Sequence, residues 1–580
     1  MDKITTLHRK RLSQERGVIK KDWGGKLSVA LIYPNHYSIG MSNLGFQAIY
    51  GILNDNTNIV SERVFLPDAE ELSIYKMTKP PILSLESQAP LTKFDILAFS
   101  ISFENDYLNI LSILDLSKIP VLSKDREEGY PLIIAGGATT FMNPEPLADV
   151  IDCFLIGEGE VILENFFEAY IGLRLYDAKK REALEALARD VTGVYCPSLF
   201  DVEYNSEGLI ASFEPLVSSL PHRVKVARNI PFKGPMLRSR IVTPLTEFSD
   251  TILVELNRGC GYSCRFCAAG YFYRPPRMLG KELVIESLKE ILTENFRIGL
   301  ISPTISDVPG IEDITGFVIE KGGSFSVSSM RADSLTEGLM ENLKKNGQKT
   351  ITMAPEAGSE RLRRVINKKV TTEEIIDAII LITKTGFFHI KLYFMIGLPT
   401  ETREDIKAIV SMVKSIRHNI IKESRHRKRI GRIRLSVNCF IPKPSTPFQW
   451  LPMDTVESLK EKQRLLKKGL SGQGGVNVSF DIPKWSYIQT LLSMGDRRVG
   501  KMLLATYKNG GNWKQTLRSS DVNPDFFVYR DKDLNERLPW DYIDNKVKKS
   551  FLQEEYNLAF SSIESPACRV GKCTRCGVCE

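Results

Sequence analysis

The stretch Arg258-Gly259-Cys260-Gly261-Tyr262-Ser263-Cys264-Arg265-Phe266-Cys267 decides how the chain is interpreted. Its cysteines follow the pattern C-x3-C-x2-C, directly after an apolar run that predicts a strand. Three thiolates on one loop are soft ligands that suit an iron–sulfur cluster. A [4Fe–4S] cluster has four irons, so three cysteines leave one iron free to bind a substrate or cosubstrate. Zinc normally takes a fourth protein ligand, and none of the usual types lies nearby in sequence.

The region around this loop, residues 250–460, alternates apolar runs with helical patterns. Six strand–helix units are typical of a partial (β/α)6 barrel, whose working loops lie at the carboxyl ends of the strands. The cysteine loop follows the first strand and therefore lies at that end. The six predicted strands are Thr251–Asn257, Arg297–Ser302, Gly323–Ser329, Thr350–Pro355, His389–Gly397 and Arg432–Phe440.

Residues 26–172 form an earlier alternating series. Apolar runs bounded by Gly or Pro and separated by helices indicate a doubly wound parallel sheet, in which ligands bind at the carboxyl ends of the strands. We predict an α/β chain of four parts: this domain, a connecting region over 173–249, the barrel, and a C-terminal region over 461–580. The apolar runs are Leu27–Tyr33, Phe94–Ser100, Leu132–Ala135 and Asp152–Ile156.

The cysteine loop and its place after the first barrel strand resemble the signature of the radical SAM superfamily. The resemblance implies a [4Fe–4S] cluster held by Cys260, Cys264 and Cys267, with S-adenosylmethionine (SAM) bound at the open iron. One-electron reduction would cleave SAM to methionine and a 5′-deoxyadenosyl radical. A reductant protein, flavodoxin or ferredoxin, is then an expected partner.

Other strand ends resemble segments of the same family and are candidate SAM-binding positions. Ser302 and Asp307 stand where the family usually has a Gly-Gly-Glu-like motif, so this chain departs from the common pattern. Glu356 lies in a stretch similar to the Glu-Ser-Gly-Ser pattern of cobalamin-linked and methylthiotransferase-like members. Gly397 and Pro399 allow a sharp strand exit and close approach to a flat ring, and the resemblance assigns them to adenine.

The N-terminal domain resembles the cobalamin-binding domain of several radical SAM enzymes. Gly136, Gly137, Gly157 and Glu158 are the candidate cofactor-binding residues there. His36 follows the first strand, but the Asp that orients a cobalt-ligating His is absent, and such an imidazole is a poorer ligand. Two interpretations stay open: bound cobalamin, or a retained fold with another use.

The C-terminal segment carries a second group of cysteines. Four cysteines within twelve residues resemble a ferredoxin-like ligand run, which favours a second, auxiliary [4Fe–4S] cluster. Tetrahedral zinc and a redox thiol pair are the alternatives. The layout of the whole chain resembles a radical SAM family with this cysteine-rich tail. The four are Cys568, Cys573, Cys576 and Cys579.

Composition sets the remaining limits. With 580 residues, 43% of them hydrophobic, and a net charge of +8, the chain is too long for one domain and too apolar to be disordered. It has no long apolar span and no secretory signal, and its cysteines cluster as in reduced compartments, so we expect a cytoplasmic location. The basic stretch Arg425–Arg434 is either an RNA contact or a solvated connector.

We therefore predict a radical SAM enzyme that takes hydrogen from an unreactive carbon, with cobalamin-dependent methylation as the expected outcome if cobalamin binds. One alternative is methylthio or sulfur insertion into RNA or protein. Another, of a different class, is a non-catalytic iron–sulfur electron-transfer or binding protein. The sequence leaves the substrate open among a small molecule, a peptide and an RNA.

Overall fold

The computed structural model describes residues 2–78, 80–175, 178–232, 235–292, 296–427 and 429–579. Its first domain contains a six-stranded sheet of order β2-β1-β3-β4-β5-β6, parallel except for the last pair. All seven residues of β1 are buried, as expected for a strand covered on both faces. The strands are β1 Leu27–Tyr33, β2 Ile59–Phe65, β3 Ile96–Ser100, β4 Leu132–Gly136, β5 Cys153–Leu155 and β6 Val194–Tyr195.

The chain leaves β1 towards β2 on one side and continues through β3 to β5 on the other, so the strand order reverses between β1 and β3. The sixth strand lies beyond residue 172, in the region predicted to be connecting structure. The helices of this part are α1 Asp2–Leu12, α2 Tyr37–Met41, α3 Leu44–Asp55, α4 Ala69–Thr78, α5 Tyr107–Leu116, α6 Ala138–Met142, α7 Gly159–Leu175 and α8 Lys180–Asp190.

The connecting region contains a hairpin of β7 Phe200–Tyr204 and β8 Ile210–Pro215, and then a two-residue strand, β9 Val224–Lys225. β9 pairs with Ile543–Asp544 of the C-terminal region. The connecting region is therefore held by residues more than 300 positions later in the chain.

The barrel wall has seven parallel strands in two sheets, β10-β13-β14 and β15-β16-β17-β18. Six are the predicted strands, and β18 is a seventh. A single bridge between Met330 and Met353 joins the sheets among the described residues. The strands are β10 Thr251–Glu255, β11 Asn257–Arg258, β12 Arg277–Met278, β13 Arg297–Ile301, β14 Ser324–Val327, β15 Thr350–Glu356, β16 His389–Ile396, β17 Ile433–Cys439 and β18 Val476–Phe480; β11 and β12 form a separate hairpin.

Helices occupy the intervals between the barrel strands. α14, for example, begins after Thr371, whose hydroxyl accepts from the amide of Glu374 while the Glu374 carboxylate accepts from the amide of Thr371. The helices are α9 Ala269–Phe272, α10 Lys281–Leu292, α11 Ile311–Glu320, α12 Glu337–Lys345, α13 Glu360–Val365, α14 Thr372–Thr385, α15 Arg403–Glu423 and α16 Val456–Leu470.

The C-terminal region packs back on the first domain. Asn143 donates to the carbonyl of Gly495 over 2.6 Å, and Arg497 pairs with Glu145 at 2.8 Å.

No helix among the described residues is long and apolar enough to cross a membrane. The predicted α/β class, with its parallel sheet and barrel, is confirmed. The last elements are α17 Pro483–Met494, α18 Arg498–Lys508, α19 Trp513–Ser519, α20 Asp525–Val528, β19 Ile543–Asp544 and α21 Lys549–Phe560.

Candidate active site at the barrel mouth

The cysteine loop is closed at its base by the β11–β12 hairpin. Gly259 adopts a φ of +79°, and a Cβ there would lie 2.5 Å from the carbonyl oxygen of Tyr273, so only glycine fits this turn. Cys260, Cys264 and Cys267 then line one cavity at the carboxyl ends of the barrel strands. The structure thus brings together the three thiols that the spacing predicted as cluster ligands.

Burial changes the chemistry of these thiols. It raises the pKa of Cys267 to about 12, with a further contribution from the neighbouring Cys264 and Cys260. Burial also raises the pKa of Cys260. Both groups are therefore protonated thiols at neutral pH until a metal displaces the proton, which is how thiolate ligands couple metal binding to proton release.

Cations surround the cavity. Lys368 pairs with Glu356 at 3.4 Å, and both residues line the wall. Desolvation would lower the pKa of Lys368, but Glu356 and the Cys264 thiolate raise it overall, so this amine stays charged. The guanidinium of Arg331 lies 3.6 Å from the centre of the Tyr262 ring.

Two buried polar atoms beside the thiols have no hydrogen-bond partner among the described residues: Asp307 Oδ2 and Lys369 Nζ. Asp307 is near enough to Cys260 to raise its pKa, and Cys264 acts on Lys369. A buried polar atom without a partner is costly, so such atoms are typical of sites that take a ligand. A cluster with three thiolates is anionic, and SAM offers an amino group and a carboxylate, so the donor set and charges fit both groups.

The other residues predicted to bind SAM differ in whether they line the cavity. Glu356 lies in the cavity wall with a φ of +68°, whereas Ser302 forms the turn after β13, accepting from the amide of Thr304. Gly397 follows β16, and its amide donates to Glu401. Gly397 and Pro399 are not among the residues lining the cavity, and their adenine contact stays a prediction.

Two of the three glycines predicted to bind cobalamin pack tightly against other parts of the protein. A Cβ on Gly137 would lie 2.4 Å from the carbonyl oxygen of Ile101, and one on Gly157 would lie 2.5 Å from the Cβ of Ala227. Gly136 alone leaves ordinary space around its Cα.

Glu158, the carboxylate among the residues predicted to bind cobalamin, forms ion pairs within the protein. It binds Arg277 at 2.5 Å and Arg258 at 2.9 Å, which joins the first domain to the base of the cysteine loop. His36 is exposed at the start of α2. The cobalamin-binding role of these residues stays a prediction, and we derive no step through that cofactor.

The C-terminal cysteines lie against the cysteine loop. The amide of Cys568 donates to the carbonyl of Gly261 over 2.8 Å. Arg274, on the same loop, is close enough to Cys576 for that sulfur to help raise the pKa of its guanidinium. No three Cys, His, Asp or Glu side chains of the described residues converge on a position for one metal ion. A [4Fe–4S] cluster takes one thiolate per iron, which spreads the ligands more widely than a single-ion site does.

Four functional positions were missed by the sequence reasoning: Tyr262, Arg331, Lys368 and Lys369. Tyr262 lies inside the quoted loop, and Arg331 follows strand β14 as Ser329-Met330-Arg331, so position after a strand was an available signal. The Lys368-Lys369 pair follows α13, where no pattern distinguished it from other exposed lysines.

Known families and proteins match this chain. Residues 45–197 match the family described as "Radical SAM proteins, N-terminal", and residues 254–413 match the "Radical SAM superfamily". MJ0966 of Methanocaldococcus jannaschii, described as uncharacterized, is 30% identical over 486 residues, which cover 82% of this chain and 90% of that protein.

Two further proteins are similar at lower identity. PH0819 of Pyrococcus horikoshii, named an uncharacterized methyltransferase, is 24% identical over 351 residues, covering 56% of this chain and 68% of that protein. OxsB, a cobalamin-dependent SAM radical enzyme solved with aqua-cobalamin and SAM, aligns with a TM-score of 0.45 and 13% identity over 92% of this chain and 79% of its own. The two family matches and the relative that spans most of both chains lead to one conclusion: the protein is an enzyme of the radical SAM superfamily.

Proposed function

We propose that the protein cleaves SAM reductively at a [4Fe–4S] cluster held by Cys260, Cys264 and Cys267, and uses the resulting radical to activate an unreactive carbon. The observation that carries this proposal is the shared cavity, in which the three thiols face Glu356 and Lys368. When bound, the cluster supplies one electron to the sulfonium of SAM, which releases methionine and the 5′-deoxyadenosyl radical.

The residues of the chain bind and orient the cosubstrate. Asp307 has a free, buried carboxylate oxygen near Cys260, where it would accept hydrogen bonds from the SAM amino group. Lys368 and Lys369 offset the negative charge around Cys264, and a low-dielectric site strengthens that attraction. The ring of Tyr262, held by Arg331, gives the cavity an apolar wall that excludes water from the radical.

For the reaction that follows, we propose methyl transfer to the activated carbon. A second SAM molecule would give up its methyl group and leave as S-adenosylhomocysteine, and the low-potential reductant would supply the second electron that this balance requires. The name of the Pyrococcus relative, a methyltransferase, supports it. Sulfur insertion with an N-terminal cluster is disfavoured, because Cys153 and Cys196, the cysteines that precede the barrel, are fully buried beside each other. The basic stretch Arg425–Arg434 has one charge fewer to offer to RNA. Its Arg427 instead donates to the carbonyls of Thr383 and Gly386 at the end of α14.

We further propose a reducing compartment, the cytoplasm, and a low-potential protein reductant. Seven thiols lie in two groups, and six of them are partly exposed, so the protein needs conditions in which disulfides do not form. A non-catalytic electron carrier would have no use for the charged cavity beside an open iron.

The test is anaerobic. The reconstituted protein is mixed with SAM and dithionite, with and without cobalamin, and the nucleoside products are quantified. We expect 5′-deoxyadenosine from the parent and from the control Cys439→Ala, whose buried cysteine lies outside both groups, and none from Cys264→Ala. S-adenosylhomocysteine that forms only with cobalamin would identify a corrinoid methyl carrier. Equal 5′-deoxyadenosine from the parent and Cys264→Ala would refute the proposal.

A further inference from the structure

The tail that carries Cys568–Cys579 is built into the cysteine loop rather than attached loosely to it. Besides the bond between Cys568 and Gly261, Asn367 donates to the carbonyl of Ser263 over 3.1 Å and to the hydroxyl of Ser565 over 2.9 Å. Its side-chain oxygen accepts from the amide of Ser565 over 3.1 Å. The buried Asn367 thus holds the cysteine loop and the tail in a fixed relative position.

A buried ion pair makes the second connection. Arg265, within the cysteine motif, and Glu555, on α21, are both fully buried and lie 3.1 Å apart. Arg265 also donates to the carbonyl of Ile563 over 2.8 Å. Two buried charges are tolerated only when paired and hydrogen-bonded, so this geometry holds α21 and the start of the tail at a fixed distance from the first cysteine group.

Arg274 lies between the two cysteine groups. It donates to the hydroxyl of Ser263 over 2.6 Å on one side, and on the other it is close enough to Cys576 for that sulfur to help raise the pKa of the guanidinium. The rings of Tyr271 and Phe551 are each 5.0 Å from its guanidinium. The space between the groups is therefore filled by a held cation and two aromatic rings.

The outer side of the tail differs in character from this buried side. Arg569, Val570 and Lys572 are exposed, and Val570 keeps half of its surface accessible. Lys546 adds a further exposed positive charge on the neighbouring loop. An apolar tip flanked by basic side chains suits an acidic protein partner, because opposite charges raise the rate of encounter.

We infer that the four tail cysteines hold an auxiliary [4Fe–4S] cluster through which electrons enter the protein, and that the basic surface formed by Arg569 and Lys572, joined by a backbone hydrogen bond of 3.0 Å, docks an acidic one-electron carrier protein of low potential. This inference rests on the proposed function, since it needs SAM cleavage as the destination of the electron. The observation that supports this inference is a short path between the two groups. It runs from Cys568 through the carbonyl of Gly261 to the adjacent Cys260.

The electron balance is simple. The reduced carrier loses one electron to the tail cluster, which passes it to the first cluster and returns to its oxidised state. SAM receives that electron, and its bond from sulfur to C5′ breaks into methionine and the 5′-deoxyadenosyl radical. Each cleavage event therefore consumes one reduced carrier, such as an acidic ferredoxin or flavodoxin.

The experiment compares two sources of electrons in the full-length, reconstituted protein. SAM cleavage is driven either by photoreduced acidic ferredoxin at low salt or by dithionite, a small reductant that needs no docking surface. For Arg569→Glu/Lys572→Glu we expect at least a fivefold loss of the ferredoxin-driven rate with the dithionite-driven rate unchanged. Lys460→Glu/Arg464→Glu, the same charge change on exposed positions of α16, is the matched control and should lose neither rate.

The tail cluster is tested in the same assay. Cys573→Ser should lower the bound iron by about four atoms per chain and the ferredoxin-driven rate at least tenfold, while dithionite still drives cleavage. Stoichiometric zinc in the tail of the parent, or equal ferredoxin-driven rates in the parent and both tail variants, would overturn the inference. Loss of cleavage with dithionite in the parent itself would instead count against the proposed function.

Discussion

The two cysteine groups of this protein are neighbours in space but differ in what surrounds them. Cys260, Cys264 and Cys267 line a cavity with charged walls, whereas the tail cysteines rest on Arg274 and on the backbone of the first loop and do not line that cavity. Under the two proposals above, the first group would leave an iron open to a ligand, and the second would enclose its metal. The comparison suggests a rule: the number of cysteines and the presence of a cavity together distinguish a catalytic cluster site from an electron-transfer cluster site.

The largest expected effect separates the groups by function. Replacing Cys260 with Ala should reduce dithionite-driven formation of 5′-deoxyadenosine at least about a thousandfold, because the cluster that contacts SAM is lost. Replacing Cys568 with Ala should change that rate less than about threefold. Both rates are measured by chromatography of quenched anaerobic reactions. Equal losses in the two variants would break the comparison.

The second effect concerns how firmly the groups are joined. Arg265→Met removes one partner of the buried Glu555 carboxylate but leaves it Arg575 at 3.3 Å and the Ser565 hydroxyl, so the cost should be at most about 3–5 kcal/mol. The fraction of molecules with a detached tail should then rise about tenfold or more, read as faster proteolysis after residue 560 under native conditions. Arg181→Met, which removes an exposed pair with Glu185, is the control and should cost less than about 1 kcal/mol. Unchanged proteolysis would show that the ion pair does not hold the tail.

The third effect is a pH dependence at the first group. Because the pKa of Cys267 is about 12 in the metal-free protein, its thiolate fraction should rise about tenfold per pH unit between pH 8 and 10. Alkylation of Cys267 by iodoacetamide, followed by mass spectrometry, should therefore accelerate about a hundredfold over that range. Free cysteine, with a pKa near 8.5, should accelerate only about fourfold. A shallow profile at Cys267 would show that burial does not control this thiol.

The smallest effect tests the charged wall of the open site. Lys368→Met removes the cation between Glu356 and the Cys264 thiolate, and should weaken SAM binding about 10- to 30-fold. Calorimetry on the reconstituted protein measures the affinity. Lys345→Met, an exposed position at the end of α12, should bind SAM as the parent does. Equal affinities for the parent and Lys368→Met would remove this lysine from the site.

The barrel strands and the first cysteine group were predictable because their signals are local. Apolar runs ended by Gly or Pro, and three cysteines within eight residues, are visible without knowledge of the fold. Strand β18 was missed because it lies at a sheet edge and alternates between partly buried and exposed residues, which leaves it no continuous apolar run.

The contacts between distant parts of the chain were not predictable in this way. Glu158 lies in a Gly-Glu-Gly-Glu turn that resembles a cofactor loop, yet its partners, Arg258 and Arg277, follow about a hundred residues later. Arg265 and Glu555 are separated by 290 positions. A side chain of this kind has no local pattern, because its partner is set by topology alone.

The single bridge between Met330 and Met353 has a mechanical consequence. Four register pairs join β13 to β14 and seven join β16 to β17, but this one bridge joins the two halves of the barrel wall among the described residues. Both methionines line the cavity. The wall therefore has a weakly paired seam at the site itself, where local opening should cost less than it does along the intact ladders. Slow hydrogen exchange along the intact ladders and fast exchange at this seam would mark the direction in which the enzyme widens to admit its substrate.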